Sequence, residues 1–180
     1  MEILLKYIKS DLYRYKEKTN FKSFFKSYIS SVGFNYLVWF RITQKYNNIF
    51  FRFILKRKMI KFGIEIHPNT QIGYGFYIGH FGGIIINEKA IIGNNCNISQ
   101  GVTIGQINRG DKKGTPIIED EVYIGPGAKI LGKIKIEKQS AIGANAVVVK
   151  DVKENTTVGG IPAKEISNIG SDGYVNRIWK

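Results

Sequence analysis

Along the middle of this chain, aliphatic residues return every six positions. They stand at Ile66, Ile72, Ile78 and Ile84, then after a shift of two at Ile86, Ile92, Ile98 and Ile104. The pattern resumes at Ile118, Ile124, Ile130, Ile136, Ile142 and Val148, with small or polar residues in the gaps. Gly73, Gly79, Gly93, Gly105, Gly125 and Gly143 each follow an anchor directly. A period of six matches neither the 3.6 of an α-helix nor simple alternation, but it suits a short strand plus a turn with one side chain pointing inward per unit. Three such units close a triangular coil. Stacked coils bury a continuous aliphatic column and pair each backbone with the next, which predicts a parallel β-helix of about five coils over residues 61–167. Ile104 and Ile118 lie too far apart for two units, and the stretch between them lacks an inward anchor. Residues 106–116 are therefore expected to leave the helix as a loop. Loops displayed by a rigid scaffold often carry binding residues, and this one holds Arg109, Lys112 and Lys113.

Residues 1–60 follow a different pattern. Aromatic residues are interleaved with Lys and Arg, as in Phe21-Lys22-Ser23-Phe24-Phe25-Lys26 and Phe50-Phe51-Arg52-Phe53, and helices are expected. Two readings stand side by side. The segment caps the first coil with its aromatics inward and its lysines solvated, or it lies as a cationic amphipathic helix pair on the anionic inner face of a membrane. The span 36–53 is broken by Arg41, Gln44, Lys45, Asn47, Asn48 and Arg52, which is too polar for a membrane-spanning helix of about 20 apolar residues. Residues 168–180 give no functional clue.

Charge sharpens this division. The net charge is +13, and fourteen Lys or Arg against Glu2, Asp11 and Glu17 place most of it in the first third. Such a field draws anionic partners. The basic residues follow no recognisable nucleic-acid module, so no nucleic-acid partner is expected. One cysteine excludes an internal disulfide, and without a charged-then-apolar leader the chain reads as cytoplasmic. Cys96 has no basic neighbour in sequence and is expected in the coil wall rather than as a nucleophile. Two histidines are too few for a three-histidine zinc site, and no metal is expected.

Several short motifs carry a resemblance. They are Glu65-Ile66-His67-Pro68, Gly79-His80-Phe81-Gly82-Gly83, Gln100-Gly101-Val102-Thr103-Ile104-Gly105, Gly127-Ala128-Lys129-Ile130-Leu131-Gly132 and Gly159-Gly160-Ile161-Pro162-Ala163-Lys164. In their order and spacing they resemble the hexapeptide-repeat acyltransferases, within them the serine acetyltransferase family with its shorter capsular and exopolysaccharide O-acetyltransferase relatives. The resemblance covers residues 60–167 and implies a left-handed β-helix, a homotrimer with sites between subunits, and acetyl-CoA as co-substrate. It places His80 on the catalytic base and Glu65 on the carboxylate that orients it; a coil of eighteen residues would set position 83 beside Glu65. Imidazole can take a hydroxyl proton near neutral pH, and a carboxylate fixes its tautomer. His67, beside Pro68, is read as structural.

By the same resemblance, backbone amides near Gly105, Ala128 and Ala144 hold the pantetheine arm. Ala163 and Lys164 meet the nucleotide end. Apart from the resemblance, the displayed loop makes Arg109 and Lys113 the expected acceptor contacts. Transfer is expected to be direct, without an acyl-enzyme. The sequence departs from the serine enzymes in three places. Gly79 stands where they carry an Asp before the catalytic His, Gly114-Thr115-Pro116 replaces an Arg-His-Pro segment that contacts serine, and the amino-terminal helical region is much shorter. These departures lead to the expectation of a sugar hydroxyl on a polysaccharide or glycan precursor as acceptor, with serine as the alternative.

Overall fold

The computed structural model describes residues 2–180. Four helices come first: α1 (Glu2–Lys16), α2 (Phe21–Ser30), α3 (Val32–Tyr46) and α4 (Ile49–Phe62). Asn20 and Asn48 accept backbone N–H bonds from Ser23 and Phe51, which satisfies otherwise orphaned donors in the first turns of α2 and α4. From Ile64 onward the chain winds into the left-handed parallel β-helix anticipated above.

The coils build three faces. The first contains β1 (Ile64–Ile66), β4 (Ile84–Ile86), β7 (Thr103–Gly105), β10 (Lys129–Leu131) and β13 (Val147–Val148). The second contains β2 (Gln71–Ile72), β5 (Ile91–Ile92), β8 (Ile117–Ile118) and β11 (Lys135–Ile136). The third contains β3 (Tyr77–Ile78), β6 (Asn97–Ile98), β9 (Tyr123–Ile124), β12 (Ala141–Ile142) and β14 (Thr157–Gly159), closed by the antiparallel β15 (Lys164–Ser167). On the first face the inward row is Ile66, Ile86, Ile104, Ile130 and Val148, all buried, with each strand stacked in register on the next. Corners are filled by small buried side chains such as Ala90, Cys96, Ala128 and Ala146. Burial pushes the Cys96 thiol up to about 12, and its Sγ donates to the Glu119 carbonyl at 3.0 Å, so this cysteine belongs to the coil wall.

Coil length is not constant. Glu65 pairs with Ile85 rather than with position 83, because the corner at 79–83 carries two extra residues. The loop at 106–116 is a small hairpin held by reciprocal backbone bonds between Ile107 and Gly114.

The first coil has no coil before it, and its free edge would expose unpaired backbone groups. The helices cover that edge with side chains. Tyr36 donates to the Ile66 carbonyl at 3.1 Å, Arg41 to those of Ile72 and Gly73, Tyr15 to that of Ile78 and Arg14 to that of Gly75. Asp11 accepts from Phe76 N–H at 2.8 Å and pairs with Arg41 at 2.9 Å, both side chains almost wholly buried. Burial raises the Asp11 carboxyl above its ordinary value despite the opposing pull of Arg41. Phe34, Tyr36 and Phe40 are fully buried against the coil, as the capping arrangement requires.

After β15 the chain turns back along the third face. Tyr174 stacks on Tyr123 with ring centres 4.3 Å apart, and Trp179 and Asn95 exchange two hydrogen bonds. Arg177 then reaches Glu17 and the Tyr15 carbonyl. Residues 168–180 thus strap the far end of the prism to α1.

Candidate active site

One edge of the prism, where the third face turns into the first, is rich in glycine. Its corners are Gly79–Gly83, Ser99–Gly101, Gly125–Gly127 and Gly143–Asn145. Gly101 N–H donates to the Gly82 carbonyl, Gly127 N–H to that of Gln100, and Asn145 N–H to that of Pro126, each at 2.8 Å. Gly83, Gly101, Gly127 and Asn145 form a column of left-handed residues with φ of 65°, 72°, 73° and 55°. A side chain on Gly101 would begin 3.3 Å from the Gly127 Cα, so backbone packs on backbone along this column.

His80 stands at the head of the edge, exposed, with exposed Phe81 beside it. Phe81 packs edge-on to Phe62 at the end of α4, and Ile84 N–H donates to the Gly63 carbonyl, so the cap fixes this corner. Glu65 projects outward from β1 at the top of the first face, in a row continued by Ile85, Thr103, Lys129 and Val147. No hydrogen bond or ion pair joins Glu65 to His80 among the described residues, contrary to the pairing expected within the chain. The extra residues at 79–83 displace His80 from the level at which a regular coil would have brought it. The imidazole–carboxylate pair that the fold does make is His67 with Glu88, 3.4 Å apart on the edge between the first and second faces.

The other expected residues divide by position. Ala144 lies on the His80 edge, exposed, about 14 Å further along at three coil steps. Ala163 lies just past the last corner, its N–H spent on the Val147 carbonyl. Ala128 is fully buried, with its N–H directed at Gly125 and its carbonyl taken by Thr103; its amide is not free for a ligand, because the corner needs it to close. Gly105 ends β7 on the opposite edge of the first face, where its carbonyl accepts from Gly132. Lys164 is exposed on β15. Arg109 and Lys113 are exposed on the hairpin, which leaves that opposite edge, so a single chain does not bring them to His80. Lys129 received no role from the sequence. Its ammonium sits over the glycine-rich edge, donating to the Gly101 carbonyl and Thr103 Oγ1. Among the described residues no cluster of three or more His, Cys, Asp or Glu is placed to hold a metal.

The profile of the bacterial transferase hexapeptide (six repeats) matches residues 115–150. Serine acetyltransferase of Synechococcus elongatus is 44% identical over 108 residues, which are 60% of this chain and 44% of that protein. The serine acetyltransferase of Staphylococcus epidermidis is 47% identical over 108 residues, 60% of this chain and 51% of its own length. The chain spans about half the length of the curated relatives it matches. Among solved structures, serine acetyltransferase of Neisseria gonorrhoeae superposes with a TM-score of 0.79 at 34% identity, covering 92% of this chain and 67% of that one. The enzyme of Brucella abortus in complex with coenzyme A gives 0.76 at 31% identity, covering 94% and 68%. The chain belongs to the serine acetyltransferase family.

Membership corrects one expectation. The relatives at 44–47% identity and the structural neighbours are serine acetyltransferases, so the sugar acceptor and the kinship with capsular O-acetyltransferases inferred from Gly79 and Gly114-Thr115-Pro116 are not supported. Those departures are local substitutions on a scaffold that otherwise follows the serine enzymes.

Proposed function

We propose that this family member is an acetyl-CoA-dependent serine O-acetyltransferase that works by direct transfer. The observation that carries the proposal is the glycine-rich edge with His80 at its head. An extended thioester-bearing chain can lie against backbone there and present its acetyl carbon to an acceptor beside the imidazole. Relatives solved with coenzyme A and with serine support the two ligands.

His80 takes the serine hydroxyl proton as the oxygen bonds to the acetyl carbon. Exposed N–H groups of the edge, Ala144 among the outer ones, are the donors for the arm. As the carbon–sulfur bond breaks, the imidazolium returns its proton to the departing thiolate. Glu65, exposed on the strand next to the His80 corner, acts as a positioning residue for the imidazole in the substrate complex. In this reading Arg109, Lys113 and Gly105 serve the site of an adjacent copy, since they lie across the first face from His80. A homotrimer is the closed assembly that lets each first face supply both edges. In the same reading Lys164, exposed beyond Ala163, contacts phosphate.

Release of coenzyme A from acetyl-CoA, followed with and without L-serine, tests the proposal. Serine-dependent release with O-acetylserine as product is expected. If serine leaves the rate at its background level, the proposed acceptor is wrong.

A further inference from the structure

The cap turns only part of its apolar surface toward the coil. On α2, Phe21, Phe25 and Ile29 are 81%, 56% and 71% exposed, one turn apart along a single stripe. On α4, Ile49, Phe50, Phe53 and Ile60 are between 62% and 84% exposed. A concavity of about 620 Å3 opens on this helix between Phe53, Ile54, Arg57, Lys58, Ile60 and Lys61. The two helices lie over one side of α3. Tyr28 of α2 accepts from Trp39 Nε1 at 2.8 Å, while Lys58 of α4 lies 5.5 Å from the Trp39 ring and donates to Asn35.

Lys22, Lys26, Arg52, Lys56, Arg57 and Lys61 are exposed on the same helices. Between Lys18 and Ile64 the sequence carries ten Lys or Arg and no Asp or Glu. That composition decides among occupants. A second copy of this face would oppose cation to cation with no carboxylate to pair, whereas an anionic lipid surface supplies the missing charge and an apolar layer for the phenylalanines. A nucleic acid would meet the charge but leave the apolar stripe unburied. No helix among the described residues is long and apolar enough to cross a membrane, and helices of this kind lie along the interface.

We infer that the outer face of α2 and α4 docks on anionic phospholipid, with Phe21, Phe25, Ile29, Phe50 and Phe53 entering the headgroup boundary and the lysines meeting phosphate. The face is separate from the His80 edge and does not depend on which acceptor the enzyme uses.

Full-length protein is sedimented with phosphatidylcholine vesicles with and without about one third phosphatidylglycerol, at low and at raised ionic strength. Binding is expected with the anionic vesicles only, and salt weakens it. The double variant Phe25→Glu/Phe53→Glu, changed at exposed positions and checked by circular dichroism, should bind at least about tenfold more weakly with unchanged coenzyme A release. Lys22→Glu/Lys56→Glu should also weaken binding, and it tests the face if the first variant misfolds. The following results would overturn the inference. They are no pelleting with anionic vesicles at low salt, undiminished pelleting of both variants, and a wild-type oligomer that dissociates in the first variant without lipid, which would assign the face to a second copy. Duplex DNA bound through this face in place of vesicles would overturn it equally.

Discussion

The inner coils and the first coil solve one problem by different means. Strands β4, β7 and β10 each have a coil on either side, and their peptide groups pair with backbone in register. The first coil has a neighbour on one side only, and the partners for its other side are Asp11, Arg14, Tyr15, Tyr36 and Arg41, brought from far away in sequence. The interior is therefore repetitive, while the end is held by a few side chains from the helices. The His80 edge borrows from both, being made of stacked corners but anchored at its head by the cap through Phe62 and Gly63.

The largest effect should come from breaking the cap. Asp11→Ala strands a buried guanidinium and is expected to cost about 3–5 kcal/mol in urea unfolding. An unshifted urea midpoint would show that the first coil does not need its side-chain partners. His80→Ala should do the converse, lowering turnover by about a hundredfold or more while leaving the urea midpoint in place. Loss of the fold in that variant would mean that the histidine serves the corner and not the chemistry.

A smaller effect is expected at Gly79, whose backbone is not left-handed and where a new side chain would first meet the Tyr77 ring, at 3.2 Å. Gly79→Asp should lower KM for serine by about tenfold, the worth of one charge-assisted hydrogen bond to the amino group. An unchanged or raised KM would place the serine amino group elsewhere.

At neutral pH Cys96 adds no titration effect, and its test lies in alkali. Its thiol ordinarily loses its proton near 9 and in the fold does so at about 12, so the folded state holds the proton more tightly. That contribution is complete below pH 9 and is lost as pH rises through 12. Alkylation should be negligible at pH 8 in the native protein and rapid in urea, and Cys96→Ala should flatten the decline in stability above pH 9. Native-state labelling at the unfolded rate would contradict the buried assignment.

The β-helix was legible because a period of six repeats the same local instruction coil after coil, and Ile66 or Ile130 needs no knowledge of the rest of the chain to point inward. Cys96 was legible for the same reason. The departures from the period were less so. The two extra residues at 79–83 were visible as a shift from Ile84 to Ile86, yet their consequence for Glu65 depends on how the corner is folded. Sequence likewise does not reveal which N–H groups a turn consumes, as the Ala128 amide directed at the Gly125 carbonyl shows.

What the sequence determined by itself was the coil repeat, the inward column and the motif order that placed the chain near its family. These are local or periodic properties, and each follows from the packing preference of a residue and its near neighbours. Tertiary structure decided which helix residues hold the first coil, which carboxylate meets which histidine, and that Arg109 and Lys113 face the opposite edge from His80. Those contacts join residues with no regular spacing between them, and only the path of the folded backbone sets their distances.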